Sequence, residues 1–437
     1  MNTKNVFKDF LKYVSLNIFG QMAYSCYTLA DTFFVSANLG ANGLTALNLA
    51  FPVFCFMNGT GLMIGMGAGI RYSLLKSRGD SQKADHVFTN AVYMAVFFAV
   101  IFSLSGMFLS GAIAKALGAD EAVFDMTNTY LQVMLLFSPA FLANNLLQCF
   151  VRNDGNPSLS MIAMFTGSMS NVVLDYIFIF LLGMGIFGAI LATGLSPVIS
   201  IMVLSSYFFR RKNNFHFVKA LPNRKETLKI ISNGIPSLVT ELSSGIVMLV
   251  FNFIILRLEG NTGVAAFGVI TVVSLVVVAI YTGLSQGIQP IISRYYGTGE
   301  AANVKAVWKY AMLTMLLVSG VIYGIIFLNA PQITIAFNSE KNELLQRFSE
   351  TGLKLYFLAC PVTGFNIVTA TYFTSTECSR PAQIISCLRG FFILIPMVFM
   401  LSTVLGITGV WLAYPLTECA VALVGAVFYL SVKRTQL

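Results

Sequence analysis

The chain has 437 residues, of which 57% are hydrophobic and only 10% charged, and its mean hydropathy is +0.78. A soluble globule carries about a quarter charged residues, so lipid rather than water is the solvent this composition fits. Seven cysteines without a C-x-x-C pair and two histidines, His86 and His216, supply no metal cluster, disulfide framework or nucleophile–base pair, so neither an enzyme nor a bound cofactor is expected.

Apolar stretches long enough to cross a bilayer, about 20 residues each, recur twelve times, near 10–37, 44–75, 87–115, 126–151, 157–182, 185–210, 228–257, 263–293, 304–330, 346–374, 381–404 and 408–432. The first follows Lys4, Lys8 and Lys12, is too long and too polar for a signal-peptide core, and reads as a retained helix carrying Asp31. The second holds Gly59, Gly61, Gly65, Gly67 and Gly69, and the fourth holds Pro139. In lipid, small residues let helices approach closely and prolines permit bends. The fifth carries Asn171 and Asp175, and the sixth carries Thr193. After a basic linker near 211–227, the seventh stretch carries Pro236 and Glu241 and the eighth Gly283, Gly287 and Pro290. The tenth has Lys354, able to snorkel to the outer interface, and Pro361; the eleventh has Arg389 and the twelfth Glu418. A charge at mid-bilayer costs a few kcal/mol, so each of these ionisable residues needs a reason.

The formal charge of +9 is distributed as a topology signal. With the N-terminus placed inside, the inner segments collect most of the lysines and arginines, from Lys4, Lys8 and Lys12 through Arg210, Arg211 and Lys212 to Lys433 and Arg434. The outer segments hold only Lys115, Arg257, Lys341 and Arg347. This positive-inside asymmetry puts both termini in the cytoplasm and the chain in the cell membrane, with lipid headgroups rather than nucleic acid as the anionic contact.

The two halves can be laid on each other. Residues 129-TYLQVMLLFSP-139 match 351-TGLKLYFLACP-361, 188-GAILAT-193 matches 409-GVWLAY-414, 79-GDSQKADHVFTNA-91 matches 299-GEAANVKAVWKYA-311, and 11-LKYVSLNI-18 matches 228-LKIISNGI-235. Four matches in one order at nearly one shift indicate a tandem duplication, with an N-lobe over 1–217 and a C-lobe over 218–437. Each unit has an even number of crossings, so the copies lie parallel. The expected fold is an all-α integral membrane protein of twelve transmembrane helices in two parallel six-helix bundles, related by a pseudo-two-fold along the membrane normal. Parallel repeats of this kind are a transporter architecture, with the pathway between the halves.

Depth follows from orientation and the helical rise. Asp31, Asp175 and Thr193 all fall roughly 12–14 Å below the outer helix ends, and Asn171, at i−4 from Asp175, shares its face one turn deeper. Two carboxylates, an amide and a hydroxyl at one depth suit a proton site or a Na⁺ site, since like charges in low dielectric demand compensation and Na⁺ prefers oxygen ligands. The alternative is a buried brace, Asp175 bonding a neighbouring Ser, Asn or Tyr. At the matching shifts the second unit has no acid, so the cluster is no requirement of the fold. In that unit Arg389 is the natural partner for either Glu241 or Glu418, and Glu241 is placed to face a cavity and attract a cationic substrate. The aromatic and methionine content would give such a cavity a soft, adaptable wall.

The segment 148-QCFVRNDGNPSLSMIAMFTGSMSNVVLDYIFIF-180 with 183-GMGIFGAILAT-193, together with 30-ADTFFVSANLGANGLTALNLAFPV-53 and 283-GLSQGIQPIISRYYG-297, resembles the multidrug and toxic compound extrusion (MATE) transporters over essentially the whole chain. The resemblance implies a monomeric secondary exporter driven by Na⁺ or H⁺, taking organic cations or amphipaths, with two lobes enclosing an outward-opening cleft. It implies a first-lobe cation site at Asp31, Asn171, Asp175 and Thr193. In the branch with a cation-binding acid on helix 7, that acid stands about one turn further from the helix 7 proline than Glu241 does. A lipid-precursor flippase of the same superfamily and a channel or pore are the alternatives.

Overall fold

The computed structural model describes residues 3–338 and 341–435. Of the basic residues that set the charge asymmetry, the side chains of Lys4, Lys433 and Arg434 lie outside the described ones. The helices are α1 (Thr3–Ser77), α2 (Ser81–Phe108), α3 (Ser110–Ala116), α4 (Phe124–Leu136), α5 (Ser138–Asn153), α6 (Pro157–Asp175) and α7 (Gly185–Phe209) in the first half. The second half holds α8 (Arg224–Gly297), α9 (Ala301–Phe337), α10 (Glu343–Tyr356), α11 (Cys360–Ser375), α12 (Ser379–Cys387), α13 (Leu394–Leu405) and α14 (Ile407–Thr435). No strand occurs among the described residues. In hydrocarbon every backbone donor and acceptor must be satisfied within the segment, which is why these apolar runs are helical.

Among the described residues twelve crossings result. Helices α1 and α8, 75 and 74 residues long, are each far longer than a bilayer is thick, and each is broken at one left-handed glycine, Gly40 (φ 63°) and Gly260 (φ 62°). The arms fold back there. Arg152 reaches both Asn17 and Met66, nearly equidistant from Gly40 on the two arms of α1, while Phe251 and Phe267 stack at 5.3 Å on the two arms of α8. Helices α4 and α5 bend by 48° ahead of Pro139 and together make one span. The tenth span breaks likewise, through a 3₁₀ turn at Phe357–Ala359 ahead of Pro361. Two further irregularities were not legible in the sequence: π-helical turns at Tyr176–Leu181, after α6, and at Leu388–Phe392, between α12 and α13.

The duplication is written into the backbone. Left-handed residues recur in order at offsets of 220 to 222: Gly40 with Gly260, Gly79 with Gly299, Gly155 with Glu377, and Gly185 with Gly406. Glu377 alone of these carries a side chain in a region that disfavours one, and that side chain binds Arg71 and Arg78.

Two apolar cores form, one around Leu131, Phe150 and Ile190, the other around Ile270, Phe373 and Trp411. Val6, Phe10, Tyr13 and Val14, at the start of α1, join the second core, so the first helix crosses from one half to the other. The halves meet where α1 packs along α8. A Cβ on Gly234 would stand 1.9 Å from the Met63 carbonyl oxygen, and one on Gly287 2.7 Å from Val14 Cα. At the basic end of the same seam, Arg71 binds Glu226 at 3.2 Å and Glu377, and Arg294 binds Asp9 at 2.6 Å.

Candidate functional site

Helix α6 starts at Pro157, with Asn156 capping it by accepting from the Leu159 N–H, and it ends at Asp175, where the π turn begins. The turn widens the helix by one residue and packs Phe180 edge-on against Phe34 of α1 at 5.7 Å, which draws the first arm of α1 against α6. Helix α7 returns along α6 after left-handed Gly183 and Gly185. Asp31, Asn171, Asp175 and Thr193 are thereby brought together, as their shared depth predicted.

All four are more than nine-tenths buried, Asp175 and Asn171 completely. The two carboxyl groups are electrostatic neighbours. Asn171 bridges Asp175 and Thr193: in the amide orientation that matches donors to acceptors, it donates to Asp175 Oδ2 at 3.0 Å and accepts from Thr193 N at 3.3 Å. The opposite orientation donates to Thr193 Oγ1 at 3.3 Å. Asp31 Oδ1 and Asp175 Oδ1 are buried without any hydrogen-bond partner. Thr28 and Thr32, which could have braced Asp31, donate instead to the Tyr24 and Thr28 carbonyls of their own helix. Two acids facing each other with orphaned oxygens hold a positive charge between them more readily than they hold nothing, and a proton or a small oxygen-seeking cation fits the donor set.

The phenols of Tyr27 and Tyr130 share this electrostatic neighbourhood. Sequence reasoning missed both, although Tyr27 stands at i−4 from Asp31 on the same helical face. No group of three or more His, Cys, Asp or Glu side chains placed for a metal occurs among the described residues.

Glu241 does face a cavity. A space of about 320 Å³ lies mainly within the second half, lined by Glu241, Arg389, Asn366, Tyr356 and Tyr414 among others, and reaches Phe51, Leu62, Met66 and Ile70 of the first. Glu241 accepts a long bond, 3.3 Å, from Asn58 of the first half, and Asn58 in turn accepts from Asn145 at 2.9 Å. Arg389 takes Glu418, not Glu241, as its partner: Nε donates to Oε1 at 2.5 Å, and Asn366 donates to Oε2 at 2.7 Å. Lys354 lies over the Phe327 ring at 5.5 Å, its stem against apolar surface.

With this geometry in hand, comparison with known proteins is informative. The MatE family profile matches residues 17–177 and again 236–400, once in each repeat. Multidrug export protein MepA of Staphylococcus saprophyticus is 26% identical over 437 residues, spanning 99% of this chain and 95% of the relative. Its namesake in Staphylococcus aureus strain NCTC 8325 is 26% identical over 434 residues, spanning 98% and 95%. Among solved structures, a MATE protein in complex with MaL6 superposes with a TM-score of 0.91 at 24% identity, covering 96% of this chain and 95% of that one. A multidrug resistance MATE family transporter of the MOP superfamily, in an outward-facing conformation, gives 0.90 at 23%, covering 96% and 94%. These last likenesses concern the fold. The doubled profile match, the twelve crossings and the backbone repeat agree, and the chain belongs to the MatE family.

Proposed function

We propose that the protein is a secondary active transporter, exporting small organic cations or amphipaths across the cell membrane in exchange for H⁺ or Na⁺. The observation that carries this reading is the buried pair Asp31 and Asp175, each with one orphaned carboxylate oxygen, in the repeat that has no acidic counterpart in its twin. The relatives named for multidrug export support the cargo class.

The protein acts as a monomer with both termini cytoplasmic, its N-lobe (1–217) and C-lobe (218–437) rocking about the α1–α8 seam. An external ion enters between Asp31 and Asp175 and takes up the orphaned oxygens, while Asn171 orients Asp175. Binding of the ion biases the lobes toward the arrangement open to the outside, and cargo leaves outward. Departure of the ion to the cytoplasm restores the charge and readies the cavity, with Glu241 on its wall, for the next cation.

Proteoliposomes with imposed proton or sodium gradients test this. Asp175→Asn should abolish gradient-driven export of an organic cation, and undiminished coupling would sink the proposal. Transport of a lipid precursor with indifference to organic cations would replace the cargo class, and sustained single-channel currents would replace exchange with a pore.

A further inference from the structure

We infer that Arg389 is a specificity-determining residue of the cavity: tethered by Glu418, it presents the free edge of its guanidinium to a hydrogen-bond acceptor on a monocationic cargo whose charged nitrogen faces Glu241. This rests on the reading that cargo occupies the cavity lined by Glu241.

Glu241 and Arg389 are the two charged side chains lining that space. Arg389 sits in the π turn Leu388–Phe392, where the widened helix turns its side chain toward α14. Glu418 on α14 is completely buried, and both its carboxylate oxygens are used, one by Arg389 Nε and one by Asn366. The pair therefore compensates itself, and one negative charge, that of Glu241, is left for the cargo to meet. A monocation closes the balance, whereas a zwitterion leaves one negative charge and a dication one positive charge, either costly in a low-dielectric wall. Arg152, held by Gln286 and Met66 of the wall, stands behind them and does not line the space.

The tether is monodentate, which is the second half of the argument. Nη2 makes only a long bond to the Tyr414 hydroxyl, 3.4 Å, and Nη1 has no protein partner among the described residues. The Arg389 side chain keeps 16% of its surface exposed. A cargo without an acceptor covers this edge and leaves a charged donor unmatched, while one with a carbonyl or ether oxygen satisfies it, a difference of about tenfold or more in affinity. Tyr356 and Tyr414, stacked at 4.5 Å beside the guanidinium, offer a flat wall for an aryl group joining the two ends of such a molecule.

The experiment compares two probes by calorimetric titration of the purified full chain: an aryl quaternary ammonium bearing a ketone, and its analogue with a methylene in place of the ketone. The wild type should bind the ketone probe about tenfold more tightly. In Arg389→Met/Glu418→Met, which removes the pair without stranding a charge, that preference should fall to about one. Arg389→Lys, which keeps the charge but not the planar fork, should lose most of it too and serves if the double variant does not fold. Arg389→Met alone strands Glu418 and should shift preference toward a bis-quaternary probe. A tenfold ketone preference persisting in the double variant, or in Arg389→Lys, overturns the inference. Glu241→Gln separates the two layers: unchanged affinity for both probes overturns the occupancy of the cavity itself, whereas weakened binding with an Arg389-insensitive ketone preference overturns the role of Arg389 alone.

Discussion

Gly67, on the second arm of α1, lies so close to α8 that a Cβ on it would stand 2.0 Å from the carbonyl oxygen of Ile230. The contact is backbone against backbone, so no side-chain rotation can relieve it. Gly67→Ala must push the halves apart at their basic end, at a cost of about 1–3 kcal/mol by analogy with overpacked cores. Cys55 of α1, buried in the same seam against Gly245 of α8, reports the opening. Its alkylation, followed by peptide mass spectrometry, should rise in Gly67→Ala, together with a lower melting temperature. Unchanged labelling and melting would show that the seam yields there without cost.

The two kinds of ion pair across the seam should differ in weight. The Arg71 side chain is 6% exposed between Glu226 and Glu377, which keep Lys229 and Arg78 as second partners, so Arg71→Ala should cost about 1.5–3 kcal/mol. Arg294 and Asp9 are 43% and 38% exposed, and Arg294→Ala should cost at most about 1 kcal/mol. Thermal unfolding in detergent ranks them; equal losses would contradict the burial argument.

Within the acidic cluster the amide should matter more than the hydroxyl. Thr193 meets Asn171 through its backbone N–H in the matched orientation, and Thr193→Val keeps that contact, so coupled flux should fall by no more than a few-fold. Asn171→Leu removes the bridge and leaves Asp175 without its donor, which should lower flux by about tenfold or more. Gradient-driven uptake into vesicles measures both, and the reverse ranking would assign the coupling to Thr193.

Glu241 carries the charge of the cavity wall but is held to the first half by one long hydrogen bond. Glu241→Gln retains an acceptor for Asn58 and removes the charge. Cation binding should weaken by about tenfold, the value of one charge-assisted contact, while the melting temperature stays within a few degrees. A large drop in melting temperature with unchanged binding would make Glu241 a brace between the halves.

The crossing count, the tandem repeat and the acidic cluster were legible in the chain because each depends on local rules. Lipid allows only internally bonded backbone, a duplication keeps its register, and helical rise turns sequence distance into depth. Asp31, Asp175 and Thr193 could be grouped because a single coordinate, depth, was enough to bring them together. The π turns were not legible, since a one-residue widening has no fixed composition.

Hydropathy and spacing thus determined that this is a doubled, twelve-span membrane protein with two acids at one level of its first repeat. Only the tertiary structure decided that Arg389 takes Glu418 and leaves Glu241 to the cavity, that Arg71 bridges Glu226 and Glu377, and that the start of α1 packs into the second half's core. Those choices depend on the rotation of each helix about its axis and on where two helices cross, and both are set by packing between separate helices, 29 residues apart for Arg389 and Glu418 and 155 for Arg71 and Glu226, a quantity that local periodicity does not carry.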